Sequence, residues 1–168
     1  MLRRIINKNG FSIVEIITVL AIIGVFIAFF YTLLFLNWEA CNRFLAQADF
    51  GQDMDTAIDA IANDARLSKD FNISNTASSV QVVFNDVNEN PISTYVMYSN
   101  GEMTETRPGL SSVILTENLN YANSNFVSSA INPGNLVVNI SMIDQNQLFG
   151  HPIILNSQTE LYPRNSGN

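Results

Sequence analysis

Between Phe11 and Leu36 the chain carries one formal charge, Glu15, in a run of 26 residues that is otherwise apolar or weakly polar. At 1.5 Å per residue a helix of that length covers roughly 39 Å, enough to cross the hydrocarbon core of a bilayer with some tilt. Four readings compete for such a segment. A helix buried in a soluble domain fits poorly at this length and apolarity. A secretory signal has a shorter apolar centre followed by a small-x-small cleavage site, whereas this run is followed by Asn37-Trp38-Glu39. A plain signal anchor fits better. Arg3, Arg4 and Lys8 precede the run with no acidic residue among them, which predicts a cytoplasmic N-terminus and a C-terminal body outside. The fourth reading adds a processing site between Gly10 and Phe11. Glu15 is the feature that needs a reason. On insertion scales an ionised side chain at a membrane centre costs about 2.5–3.5 kcal/mol, and such residues usually face a partner.

The helix is expected to outlast the apolar run. Trp38 falls where an aromatic interface anchor belongs. Beyond it Phe44, Leu45, Ala48, Met54, Ala57, Ile58, Ile61, Ala62 and Ala65 recur at steps of three and four, the period of a helix with one apolar face. Asp49, Asp53, Asp55, Asp59, Asn63 and Asp64 lie off that stripe or at its edges. All five prolines come after Asn90, so none interrupts the pattern. Gly51 is the one weak point and a candidate bend. Helix from Phe11 to Leu67 would measure ~85 Å.

From Phe71 the composition changes to short runs of Val, Ile, Tyr and Thr between Asn- and Ser-rich connections. Asn72–Ser79 reads as a polar connection. Strands are predicted at Val80–Phe84, Ile92–Tyr98, Glu102–Arg107, Leu136–Ile143 and Ile153–Tyr162, with one or two more strands over Val113–Leu115 and Leu119–Val127 together. Asn100-Gly101 signals a tight hairpin whose two central residues tolerate positive φ. Pro108-Gly109 and Asn132-Pro133-Gly134 read as turns. A long helix followed by an antiparallel sheet is an α+β chain. The 132 residues left after the first 36 suffice for one modest core.

Charge and reactive side chains narrow the function. The chain carries -7 overall; from Phe11 onward five basic residues face fifteen acidic ones, a balance of -10. That body lacks the clustered Lys and Arg of a nucleic-acid binder. Cys41 is the single cysteine, so no intrachain disulfide is possible; it reads as a small buried or membrane-proximal residue. His151 is the single histidine and reads as a turn residue between Gly150 and Pro152. There is no Gly-x-Ser-x-Gly elbow and no phosphate-binding Gly-rich loop. One His and one Cys cannot make a His/Cys zinc site. Asp86-Val87-Asn88-Glu89-Asn90 imitates the start of a calcium loop, but Pro91 and Met97 stand where Gly and Glu are needed, so it reads as a turn. The like-charged pairs Asp49/Asp53 and Asp55/Asp59 read as a solvated face, or alternatively as a docking surface for a basic partner. No catalytic residue, cofactor or metal is expected.

Gly10-Phe11-Ser12-Ile13-Val14-Glu15-Ile16, behind a short basic leader and ahead of the apolar run, resembles the prepilin processing motif of type IV pilins and type II secretion pseudopilins. The resemblance covers the first 36 residues. It implies a leader over residues 1–10, cleavage between Gly10 and Phe11 by a membrane-embedded prepilin peptidase, and N-methylation of Phe11. It implies a membrane and filament-core helix over 11–36, an amphipathic continuation over 37–68, and a β-rich head over 69–168. Glu15 would pair with the Phe11 amine of a neighbouring subunit, each charge offsetting the other's desolvation. The implied partners are sister subunits, the peptidase and an inner-membrane assembly platform. The implied route runs from the cytoplasmic membrane to a periplasmic or cell-surface filament. The order of elements in the head is similar to J-type minor pseudopilins and W-type minor pilins. Arg164-Asn165 fits their chain ending, while the basic residue expected after the hairpin glycine is displaced to Arg107. A membrane-anchored outward-facing binding protein that never polymerises is the competing expectation.

Overall fold

The computed structural model describes residues 12–132, 134–143 and 152–163; Gly10, Phe11, His151, Arg164 and Asn165 lie outside them. The chain divides into two compact units, residues 1–42 and 43–168. A single helix, α1, runs through both without interruption from Ile13 to Leu67.

In the first unit every residue from Ser12 to Trp38 is exposed. A helix that is apolar all round requires an apolar surrounding, and this one is long and apolar enough to span a membrane. Its two threonine hydroxyls are bonded within the helix. Thr18 donates to the Val14 carbonyl at 2.8 Å and Thr32 to the Ala28 carbonyl at 3.0 Å, so neither needs an outside partner.

The second unit is α+β, as expected. Among the described residues eight strands follow α1: β1 (Asp70–Asn75), β2 (Ser79–Asn85), β3 (Pro91–Tyr98), β4 (Met103–Thr106), β5 (Val113–Thr116), β6 (Asn125–Ser128), β7 (Leu136–Ile143) and β8 (Ile154–Leu161). The first five form an antiparallel meander in the order β1-β2-β3-β4-β5, and the last three a second sheet, β6-β7-β8. The segment between β5 and β6 stitches the sheets together. The Leu119 N–H donates to the Gly101 carbonyl at 2.8 Å, the Asn120 N–H donates to the carbonyl of Ser141 on β7, and the N–H of Ile143 on β7 donates to the Asn118 carbonyl. The last helical stretch of α1 supplies Phe50, Met54, Ala57, Ile61 and Ala65 to one core with Val82, Phe84, Tyr95, Met97 and Met103 of the first sheet and Leu136, Val138, Ile140 and Met142 of the second. Phe84 and Tyr95 meet edge-on, with ring centroids 5.9 Å apart.

The predicted elements are found where the hydrophobic period is strong, and the departures have local reasons. Burial on α1 starts at Phe50, which lay outside the predicted stripe; Phe44 and Leu45, which lay on it, are exposed. The period fixes a face but not how far along that face the sheets reach. Gly51 sits inside unbroken helix. The stretch read as a polar connection from Asn72 is instead the end of β1, paired to β2 from Asp70↔Asn85 to Asn75↔Val80. Its alternation of Phe71 and Ile73 with polar residues is period two, with the polar side left in solvent. The β3–β4 connection is looser than a two-residue hairpin. Tyr98 accepts from Gly101 at 3.1 Å and donates to the Glu102 carbonyl at 2.9 Å. Of the pair Asn100-Gly101, Gly101 alone has positive φ, at 96°. That is a three-residue loop closing on a left-handed glycine. The span Leu119–Val127 resolves into an isolated bridge at Leu119, a 3-10 turn at Tyr121–Asn123, and β6.

Ile61 is fully buried where helix meets sheet. Ile61→Ala should cost about 2–5 kcal/mol, measured as a lowered denaturation midpoint of the full chain with the helical far-ultraviolet signal of α1 largely retained.

Candidate functional site

The sequence places its candidate site at the start of α1, and the structure resolves one half of it. Ser12 and Glu15 form a reciprocal capping pair. The Glu15 carboxylate accepts from the Ser12 N–H at 3.1 Å, and the Ser12 hydroxyl accepts from the Val14 N–H at 3.3 Å. The first intrahelical bond runs from Ile16 N–H to the Ser12 carbonyl at 3.2 Å. Two amides that a helix N-terminus leaves without partners are thereby satisfied, and a negative charge sits at the positive end of the helix dipole. The Ser-x-x-Glu spacing is a sequence signature of a helix start, so this part of the geometry is local and legible in the sequence, beyond the charge of Glu15 alone. The other half of the site, Gly10 and Phe11, lies outside the described residues.

Ser12→Ala should therefore weaken the first turn by about 1 kcal/mol, read as faster amide hydrogen exchange at Val14–Ile16 in micelles. Glu15→Gln should leave those rates nearly unchanged, because glutamine keeps the reciprocal bond.

The second constellation lies in the head and was not foreseen. Asp64, expected off the apolar stripe or at its edge, is completely buried. It follows Ile61 by three residues and precedes buried Ala65 by one, so its position lies on the buried stripe. Its side chain reaches across to the sheet. The Tyr95 hydroxyl, itself buried on β3, donates to Asp64 Oδ2 at 2.6 Å. Arg107 Nη2, beyond the end of β4, approaches both carboxylate oxygens at 3.4 Å. Arg107 also pairs through Nε with Glu105 on β4. A buried carboxylate is tolerated only when it is hydrogen-bonded and charge-compensated; Tyr95 supplies the hydrogen bond and Arg107 the countercharge. Burial, the hydrogen bond to Asp64 and the surrounding negative charge push the Tyr95 phenol well above its ordinary value. The Glu105 bond and the Asp64 charge raise Arg107 further still.

Other acidic residues divide by environment. Asp49, Asp55 and Asp59 are exposed, whereas Asp53 is half-buried and accepts from the Thr116 hydroxyl at 3.3 Å, so it belongs partly to the head's internal bonding. Asp86 accepts from the N–H groups of Asn88 at 2.7 Å and Asn90 at 2.9 Å. Those backbone bonds, Asn90 first, lower its carboxyl below the ordinary range and make the segment a self-satisfied turn, with Glu89 at φ 65°. Cys41 is exposed rather than buried. Among the described residues no group of three or more His, Cys, Asp or Glu is placed to hold a metal.

Because Tyr95 is held protonated in the folded chain, its contribution to stability is complete below the unfolded value near 10 and is lost as pH rises from there toward the higher folded value. Tyr95→Phe should cost about 1.5–3 kcal/mol at neutral pH, the worth of a hydrogen bond to a charged group. The gap between variant and wild type should narrow above pH 10, as measured by denaturant titration across pH.

Comparison with known proteins adds no relative: no family model, no curated protein and no solved structure matches the chain.

Proposed function

We propose that the chain is a prepilin-type structural subunit, a minor pilin or minor pseudopilin of a type IV pilus or type II secretion-like filament. In this reading it waits in the cytoplasmic membrane, is cleaved between Gly10 and Phe11, is methylated on Phe11, and enters a filament through the N-terminal half of α1. It performs no catalysis, and its partners are sister subunits, the processing peptidase and the assembly platform.

One observation carries the reading. The single charge in an all-round apolar helix is a carboxylate at its first turn, with the basic leader and the Gly10-Phe11 junction just ahead of it. Within the described residues that carboxylate is met only by its own helix start, a neutral amide that leaves the charge uncompensated. A cationic amine from a neighbouring chain would supply the missing countercharge. An uncovered apolar helix suits both stages of such a life, first in lipid and then against copies of itself.

The capping pair also favours the second reading, a membrane-anchored binding protein that never polymerises. A glutamate that starts a helix at the headgroup level needs no partner subunit. Intact mass separates the two. The prepilin reading expects loss of residues 1–10 together with the gain of one methyl group on Phe11, and an unprocessed N-terminus would sink it. Within the prepilin reading, Glu15→Gln should still be processed and should keep the helix start, yet fail to enter filaments. Wild-type incorporation of that variant would show that the charge is not used for assembly.

A further inference from the structure

The β3–β4 loop sets an electrophile and a nucleophile side by side on one dipeptide. Asn100-Gly101 is the one Asn-Gly pair among the described residues. The backbone nitrogen that follows an asparagine can attack the side-chain Cγ and close a cyclic imide. A Cβ on the following residue crowds that approach, and glycine has none. Asn100 is exposed. Its Oδ1 accepts from the Glu102 N–H at 3.2 Å. Such a bond turns the side chain forward along its own backbone, so Cγ and the Gly101 nitrogen lie within one hydrogen-bonded ring. The donor also sits on the oxygen where negative charge would develop during attack.

The same loop holds the nucleophile back. The Gly101 N–H donates to the Tyr98 carbonyl at 3.1 Å, and the nitrogen must lose that proton before it can attack. The Gly101 carbonyl accepts from the Leu119 N–H at 2.8 Å. Gly101 is buried and held at φ 96°. Reaction therefore requires the loop to open and release Gly101 from both partners. Local openings of this kind cost less than global unfolding. Other exposed asparagines offer a poorer pair. Asn123 and Asn156 are each followed by a serine, whose Cβ stands beside the nitrogen.

We propose that Asn100 is a site of self-modification, an intramolecular deamidation gated by opening of the β3–β4 loop. In the open loop the Gly101 nitrogen gives up its proton to solvent and bonds to Asn100 Cγ. The bond from Cγ to the side-chain nitrogen breaks, and that nitrogen takes up a proton and leaves as ammonia. The product is a succinimide, formed without any change of oxidation state. Water then opens it. Cleavage between the Gly101 nitrogen and Cγ gives aspartate on an unchanged backbone. Cleavage between that nitrogen and the backbone carbonyl carbon gives isoaspartate, whose main chain runs through Cγ and is one carbon longer. The longer form misfits this loop, which closes on a left-handed glycine. It displaces the Gly101 carbonyl from the Leu119 N–H that fastens the two sheets. Deamidation thus turns a brief opening into a lasting one. The loop is the same whether α1 ends in a membrane or in a filament, so this site stands or falls separately from the filament reading.

The test incubates the full chain in micelles at mildly alkaline and mildly acidic pH, then maps each asparagine by peptide mass and by enzymatic methylation of isoaspartate. Conversion at residue 100 should run about tenfold ahead of Asn123 and Asn156, because its nitrogen is the least crowded, and should be faster at alkaline pH. A sample in denaturant, where the loop bonds are absent, should convert about tenfold faster than the native chain, the scale of one backbone hydrogen bond released on opening. Asn100→Gln, whose ring would be one atom larger, should stay unmodified over the same period. The Leu119 amide should exchange faster in the isoaspartate fraction than in fresh protein. Asn100→Asp, which keeps the backbone and an acceptor for Glu102, should leave it protected. Equal conversion at the three positions, no acceleration at alkaline pH, or an intact residue 100 in the native chain while it converts in denaturant would overturn the proposal. So would an isoaspartate fraction whose Leu119 amide exchanges as slowly as in fresh protein.

Discussion

The head depends on one face of α1 meeting two sheets at once. The first contributes Val82, Phe84, Tyr95, Met97 and Met103, the second Leu136, Val138, Ile140 and Met142, and the helix lays Phe50, Met54, Ala57, Ile61 and Ala65 into the same core. Ala57 and Ala65 let the helix backbone approach closely, and Ile61 fills the space between them. Into this seam falls Asp64, the one fully buried acid among the described residues. It is accommodated because the sheet presents the Tyr95 hydroxyl at 2.6 Å and the guanidinium of Arg107. An apolar side chain there would spare the desolvation cost. The carboxylate adds direction, since its bonds are satisfied only when helix and β3 stand in one register.

The same helix serves two surroundings. Up to Trp38 it is apolar on every side and uncovered; from Phe50 it is apolar on one side and docked. The transition needs no break, because both halves have the same backbone geometry and differ only in where apolar side chains are placed around it. The capping pair at Ser12 and Glu15 gives this helix a defined start. Glu15 thereby has a helix-start role that a glutamine substitution would keep and an alanine substitution would remove.

Arg107 follows β4 and closes the electrostatics of Asp64. The residue noted in the sequence only as a displaced basic position is thus the cation that meets the buried acid at the helix–sheet seam. That role could not be read from spacing, because Asp64 and Arg107 are 43 residues apart and meet only through the sheet.

By itself the sequence determined the elements with strong periodicity: the apolar run, its amphipathic continuation to Leu67, and the strands at Val80–Phe84, Ile92–Tyr98 and Leu136–Ile143. It also carried the Ser12–Glu15 spacing, which is local and therefore legible. Periodicity is written in neighbouring residues, so no partner is needed to read it. The tertiary structure alone decided where along α1 burial begins, that Asp64 is inside, that Asp53 reaches Thr116, and that β5 is left open at the margin. Each of these depends on which distant strand arrives opposite a given turn of helix. The charge of Asp64 argued for solvent, and only the arrival of Tyr95 and Arg107 made burial affordable in free energy.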